Sequence, residues 1–121
     1  MKEKKLRAVI YYRIATENKA DDGLALKRQC ILLRHQAAYG NLDIVGEIRA
    51  YEKGITLNRP GWREALNLAA ESQADVILVT KYDRVARGLP LLEQAVADMD
   101  KRGLKLYTSM ESFPFLKGHS K

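Results

Sequence analysis

Arg13, Arg59, Arg84 and Arg87, with Asp83 among them, are the residues whose type and spacing could do chemistry in this chain. Arg13 follows a short apolar run, Leu6–Tyr12. Arg59 closes a polar loop over residues 51–59. Asp83, Arg84 and Arg87 follow the run DVILVT at Asp75–Thr80, apolar enough to be buried on both faces. Guanidinium groups brought together repel one another unless an anion lies between them, and their planar fork matches phosphate oxygens. A phosphodiester held there would gain charge stabilisation as its transition state forms. The plainer reading is a set of surface arginines paired with acids, as Arg84 could pair with Asp83.

Whether the arginines meet depends on the elements between them. Leu6–Tyr12 reads as a buried strand, and Asp43–Ala50 and Leu104–Thr108 read as two more beside Asp75–Thr80. Between them lie helical patterns. From Leu24, the residues Leu26, Cys30, Leu33 and Ala37 share a face, and Gly40 ends the helix. Pro60 suits a first turn, with Trp62, Ala65, Leu66 and Ala69 inward. Pro90 opens another helix, with Leu92, Ala95, Val96 and Met99 inward and Gly103 at its end. Alternating strands and helices predict an α/β domain of three layers, a mostly parallel sheet covered on both faces. Ligands of such sheets meet the loops at the carboxyl ends of the strands, which is where all four arginines would stand.

A chain of 121 residues is the size of one domain, and a composition 46% hydrophobic and 30% charged supports a core without staples. Residues 1–121 therefore read as a single domain, with residues 1–5 and 113–121 expected to be flexible ends. The lone cysteine, Cys30, excludes an internal disulfide and fits a reducing cytoplasm. The apolar stretch Ala8–Tyr12 is too short for a leader or a membrane span. The net charge is +6, but residues 1–7 contribute +3 and residues 117–121 contribute +2. A basic balance could suggest nucleic acid, but a body so near neutrality weakens that signal.

Four segments carry a family resemblance. Tyr11–Thr16 (YYRIAT) is similar to the opening Y-x-R-V-S-T of the resolvase/invertase-type serine recombinases. Leu24–Gln29 (LALKRQ) resembles their G-L-S-L-x-x-Q, Leu57–Gly61 (LNRPG) their L-N-R-P-G, and Lys81–Arg87 (KYDRVAR) their K-L-D-R-L-S-R. Order and approximate spacing agree over residues 7–112. The resemblance implies a resolvase-like catalytic domain whose last strand runs antiparallel at the sheet edge. It implies a serine that attacks a DNA phosphodiester and forms a phosphoserine link to a 5′ end, with strand exchange in a tetramer and no metal or cofactor. Carried over, Arg13, Arg59, Arg84 and Arg87 would hold the scissile phosphate, Gln29 would help shape the site, and Asp83 would orient arginines or assist proton transfer. DNA and recombinase subunits, of its own or another kind, are the implied partners. The long helix and separate DNA-binding module that usually follow such a domain are not expected within these residues.

The departures from the pattern cluster around the same chemistry. Ala15 stands where the family has its nucleophilic serine, and a methyl group cannot attack phosphorus. Thr16 carries a hydroxyl, but the neighbouring residue of an extended chain points the other way. Lys19 replaces a frequent glutamine, Glu52 and Thr56 stand near an expected aspartate and serine, and Gly54–Asn58 is about two residues short. An introduced substitution and a natural loss both fit Ala15; the surrounding departures favour natural loss and a recombinase-like domain without catalysis.

Other candidates read as structure. His35 and His119 lack ligand-spaced partners, so no metal site is expected. Cys30 and Trp62 fit core packing, Tyr11 and Tyr12 are strand residues, and Asp21–Asp22 is a solvated turn. No glycine-rich phosphate loop is present.

Overall fold

A computed structural model of the chain describes residues 5–14, 22–51 and 59–108. Within them the order is β1 (Leu6–Ile14), α1 (Asp22–Tyr39), β2 (Leu42–Tyr51), α2 (Pro60–Glu71), β3 (Val76–Val79), a 3₁₀ turn (Tyr82–Arg84), α3 (Leu89–Lys101) and β4 (Lys105–Thr108). The strands form one sheet in the order β2-β1-β3-β4. All three pairings are parallel. The expected antiparallel last strand is therefore corrected. β4 does lie at the edge, but α3 carries the chain back along the sheet after β3, so β4 enters from the same end.

Strand alternation divides the interior into two cores. Val9 and Tyr11 of β1 and Ile77 and Val79 of β3 face α2 and α3, where Trp62, Ala65, Leu66, Leu92, Val96 and Met99 are buried. Ala8, Ile10 and Tyr12, with Val76 and Leu78, face α1 through Leu26, Leu33 and Ala37. The inward faces expected for α2 and α3 are thus the buried ones. α1 is less one-sided: Leu24, Ile31, Leu32 and Tyr39 are exposed. Cys30 is half-buried against the α1 core rather than enclosed by it.

Close approach of α2 to β2 depends on Gly46, since a Cβ there would come within 2.5 Å of Leu68 Cδ2. β1 extends to Ile14, two residues beyond the expected strand, because β2 pairs with it as far as Tyr51. Central β1 thereby delivers Arg13 to the carboxyl end of the sheet. Among the described residues no helix is long and apolar enough to cross a membrane.

Candidate active site

Arg13 is fixed first by its backbone. β3 pairs with β1 only over Ala8–Ile10, so the later residues of β1 need other partners on that side. Gln29, buried on α1, supplies them: its Oε1 accepts from Arg13 N at 3.2 Å and its Nε2 donates to Arg13 O at 3.0 Å. The side chain of Arg13 lies on the α2/α3 side with Val9 and Tyr11 and is 3% exposed. Its Nε donates to the carbonyl of Arg84 at 2.9 Å and its Nη2 to the carbonyl of Asp83 at 2.8 Å.

Those carbonyls are presented by the 3₁₀ turn after β3. Arg84 N donates to Lys81 O and Val85 N to Tyr82 O, while buried Val85 and Ala86 anchor the turn in the core. Asp83 therefore meets Arg13 through its main chain, and its side chain is exposed. Arg84 is half-buried, and its Nε is enclosed with no hydrogen-bond partner among the described residues.

Arg59 arrives from the start of α2. Pro60 disfavours helical geometry at the preceding residue, and Arg59 is extended at φ −125 and ψ 138. That conformation turns its side chain inward, where it is 2% exposed. Its Nη2 donates to the Tyr11 hydroxyl at 3.2 Å. The guanidinium carbon lies 5.9 Å from the centroids of both the Tyr11 and Trp62 rings, which meet edge-on at 5.3 Å. An arginine without desolvating walls would not need such a seat; here the ring faces replace part of the lost hydration.

The positive charges share one environment. Burial pushes the Arg13 guanidinium below its ordinary value, and the neighbouring charges of Arg59 and Arg84 push the same way, against opposing effects of Tyr11 and Asp83. Arginine stays charged under such shifts, so the repulsion is borne by the fold. Arg87 is not drawn in: it is exposed between the 3₁₀ turn and α3, without an ion pair or hydrogen bond among the described residues. Ala15, Thr16, Lys19, Glu52 and Thr56 lie outside the described residues, as do Asp21 and His119.

The resolvase N-terminal domain family matches residues 8–117. The chain belongs to that family. The resolvase domain is 31% identical over 96 residues to a protein of Acanthamoeba polyphaga mimivirus named, provisionally, as a resolvase. That match covers 78% of this chain but 46% of the viral protein, so the chain spans about half its length. Among solved structures it is similar to the C-terminal catalytic domain of ISC1926 TnpA, an IS607-like serine recombinase. The identity is 25%, the TM-score 0.76, and the match covers 88% of this chain and 72% of that one. A resolvase family site-specific recombinase from Streptococcus pneumoniae shares the fold at TM-score 0.70 and 23% identity, over 87% and 72% of the two chains.

Tyr11 and Trp62 are the residues of this resolvase domain that sequence reasoning missed as parts of the site. Strand parity carried the signal for Tyr11, which lies two residues before Arg13 and hence on the same face. For Trp62 the signal was its place in the first turn of the helix that Arg59 opens. His35 is exposed, and no three potential metal-ligating side chains gather among the described residues.

Proposed function

We propose that this resolvase domain is a serine-recombinase-type catalytic domain that holds a DNA phosphodiester but does not cleave it. The observation that carries this reading is the concentration of Arg13, Arg59 and Arg84 at the carboxyl end of the sheet, with the buried Arg84 Nε lacking a partner among the described residues. A phosphate there offsets the mutual repulsion and accepts the free donor. Arg13, Arg59 and Arg84 hold the phosphate, and exposed Arg87 swings in when DNA arrives. Gln29 sets the position of Arg13, and Asp83 serves through its carbonyl. Similarity to the catalytic domain of a serine recombinase supports the same chemistry.

Cleavage is missing because Ala15 occupies the nucleophile position. Loss of a covalent nucleophile costs on the order of a millionfold elsewhere. Incubation with supercoiled plasmid, followed by a search for protein joined to DNA 5′ ends, is expected to yield neither nicks nor adduct. An adduct that disappears in Thr16→Val would assign the reaction to Thr16 and end the inactive reading. Ala15→Ser, fused to a DNA-binding module, separates the origins of the loss: the departures at Lys19, Glu52 and Thr56 predict that this change alone does not restore attachment.

A second reading, a regulatory domain that pairs with recombinase subunits, is favoured by the exposed Leu24, Ile31, Leu32 and Tyr39 of α1. Sedimentation tests it. Self-association or co-sedimentation with an active recombinase that Ile31→Glu abolishes supports pairing, and a monomer that ignores both partners excludes it.

A further inference from the structure

The opposite side of β1 carries a second cationic feature. Tyr12, Leu26, Lys27, Cys30 and Arg49 line a cavity of about 300 Å³ on the α1 face. Alternation puts it beside the arginine cluster but across the sheet: Tyr12 precedes Arg13 and faces the other way, and Arg49 is its register partner on β2. Both lie at the carboxyl end of their strands.

Charge in this region is unevenly satisfied. Glu47 accepts from the Tyr12 hydroxyl and is paired with Arg34. Those contacts, the Tyr12 hydrogen bond foremost, hold its carboxyl below the usual carboxylate range. The carboxylate is thus already engaged. Lys27 and Arg49 are exposed and make no ion pair among the described residues. Two cations beside an aromatic and aliphatic wall, with Glu47 on the same sheet face already engaged, match an anion with tetrahedral oxygens better than a neutral ligand.

We propose that this cavity is a second phosphate site, in which Lys27 and Arg49 hold a backbone phosphate of the same DNA whose phosphodiester lies in the arginine cluster. The inference rests on the DNA reading above. A strand crossing the carboxyl edge of the sheet passes both faces of β1, so one phosphate enters among the buried arginines and a neighbour meets Lys27 and Arg49. The second contact fixes register and direction without reading sequence. It also explains why the cations of this cavity are exposed and adjustable while Arg13 and Arg59 are enclosed.

Cys30 provides the reporter, being the only cysteine of the chain and part of the cavity wall. The experiment measures binding of a short duplex at several low salt concentrations, together with the rate of Cys30 alkylation by neutral iodoacetamide. It compares the unaltered chain, Lys27→Gln/Arg49→Gln and Arg59→Gln, each checked for an unchanged melting profile. Duplex is expected to slow alkylation severalfold. The double substitution should abolish that protection and reduce the slope of log affinity against log salt by about two. Arg59→Gln should weaken binding while leaving protection by saturating duplex in place. If Arg59→Gln weakens binding but the double substitution changes neither slope nor protection, the second site is wrong and the DNA reading stands. If no substitution affects duplex binding, the DNA reading fails and this inference with it. Protection by inorganic phosphate without any change in duplex slope would assign the cavity to a free phosphate and overturn the proposed DNA contact.

Discussion

The two faces of the sheet treat positive charge in opposite ways. On the α2/α3 face, Arg13 and Arg59 are buried, held by carbonyl oxygens and aromatic rings. On the α1 face, Lys27, Arg34 and Arg49 are exposed, and Glu47 is engaged by Arg34 and Tyr12. A buried guanidinium keeps one geometry, at the expense of desolvation and repulsion, whereas an exposed lysine adapts at little cost. On the reading proposed above, the first face makes fixed, oriented contact with phosphate and the second adjustable contact.

The largest expected effect removes the enclosing wall. Trp62→Ala should destabilise the fold by about 3–5 kcal/mol in chemical denaturation, because it opens a cavity in the α2/α3 core and strips one ring from Arg59. Ile31→Ala on the exposed side of α1 should change stability by less than about 0.5 kcal/mol. Equal losses would mean that the two faces are not enclosed to different degrees.

An intermediate effect is expected where the faces are joined. Gln29 reaches from α1 to the main chain of Arg13, so Gln29→Ala leaves a buried N–H and C=O without partners. A loss of about 1–3 kcal/mol is expected. Exchange of the Arg13 amide should quicken more than that of Ala8. Uniform exchange would show that Gln29 does not locally secure Arg13.

The helices and the arginine cluster were legible in the sequence for different reasons. Pro60 and Pro90 mark the first turns of α2 and α3, and their apolar period is clean because each buries one side. α1 was harder to orient, because Leu24, Ile31 and Leu32 add apolar residues to its exposed side. Convergence of Arg13, Arg59 and Arg84 followed from the carboxyl-end rule for parallel sheets. The place of Gln29 came only through the family resemblance, since a glutamine on a helix has no spacing signal for a strand backbone. Tyr11 and Trp62 stayed hidden because residues that seat a cation look like core residues. β4 runs parallel to β3, against the antiparallel last strand that the resemblance implies, because α3 returns the chain along the sheet.

The smallest effect concerns acid. Glu47 is held below its ordinary value by the Tyr12 hydrogen bond and Arg34, so its contribution is fully present above the unfolded value of about 4.3. It is lost as pH falls through the lower folded value. Melting temperatures followed from about pH 6 downward should therefore decline less steeply in Glu47→Gln than in the unaltered chain below about pH 4. Parallel acid limbs would remove Glu47 from the charge balance of the α1 face.

The most direct measurement of the proposed phosphate seat is a titration with a dinucleotide phosphodiester, observed through the arginine Nε–H resonances. Arg13, Arg59 and Arg84 are expected to shift along one saturating curve, with the enclosed Arg84 Nε–H moving furthest as it gains an acceptor. Shifts confined to the exposed Arg87 and the surface lysines, with Arg13, Arg59 and Arg84 unmoved at saturation, would contradict a phosphate held by the buried cluster.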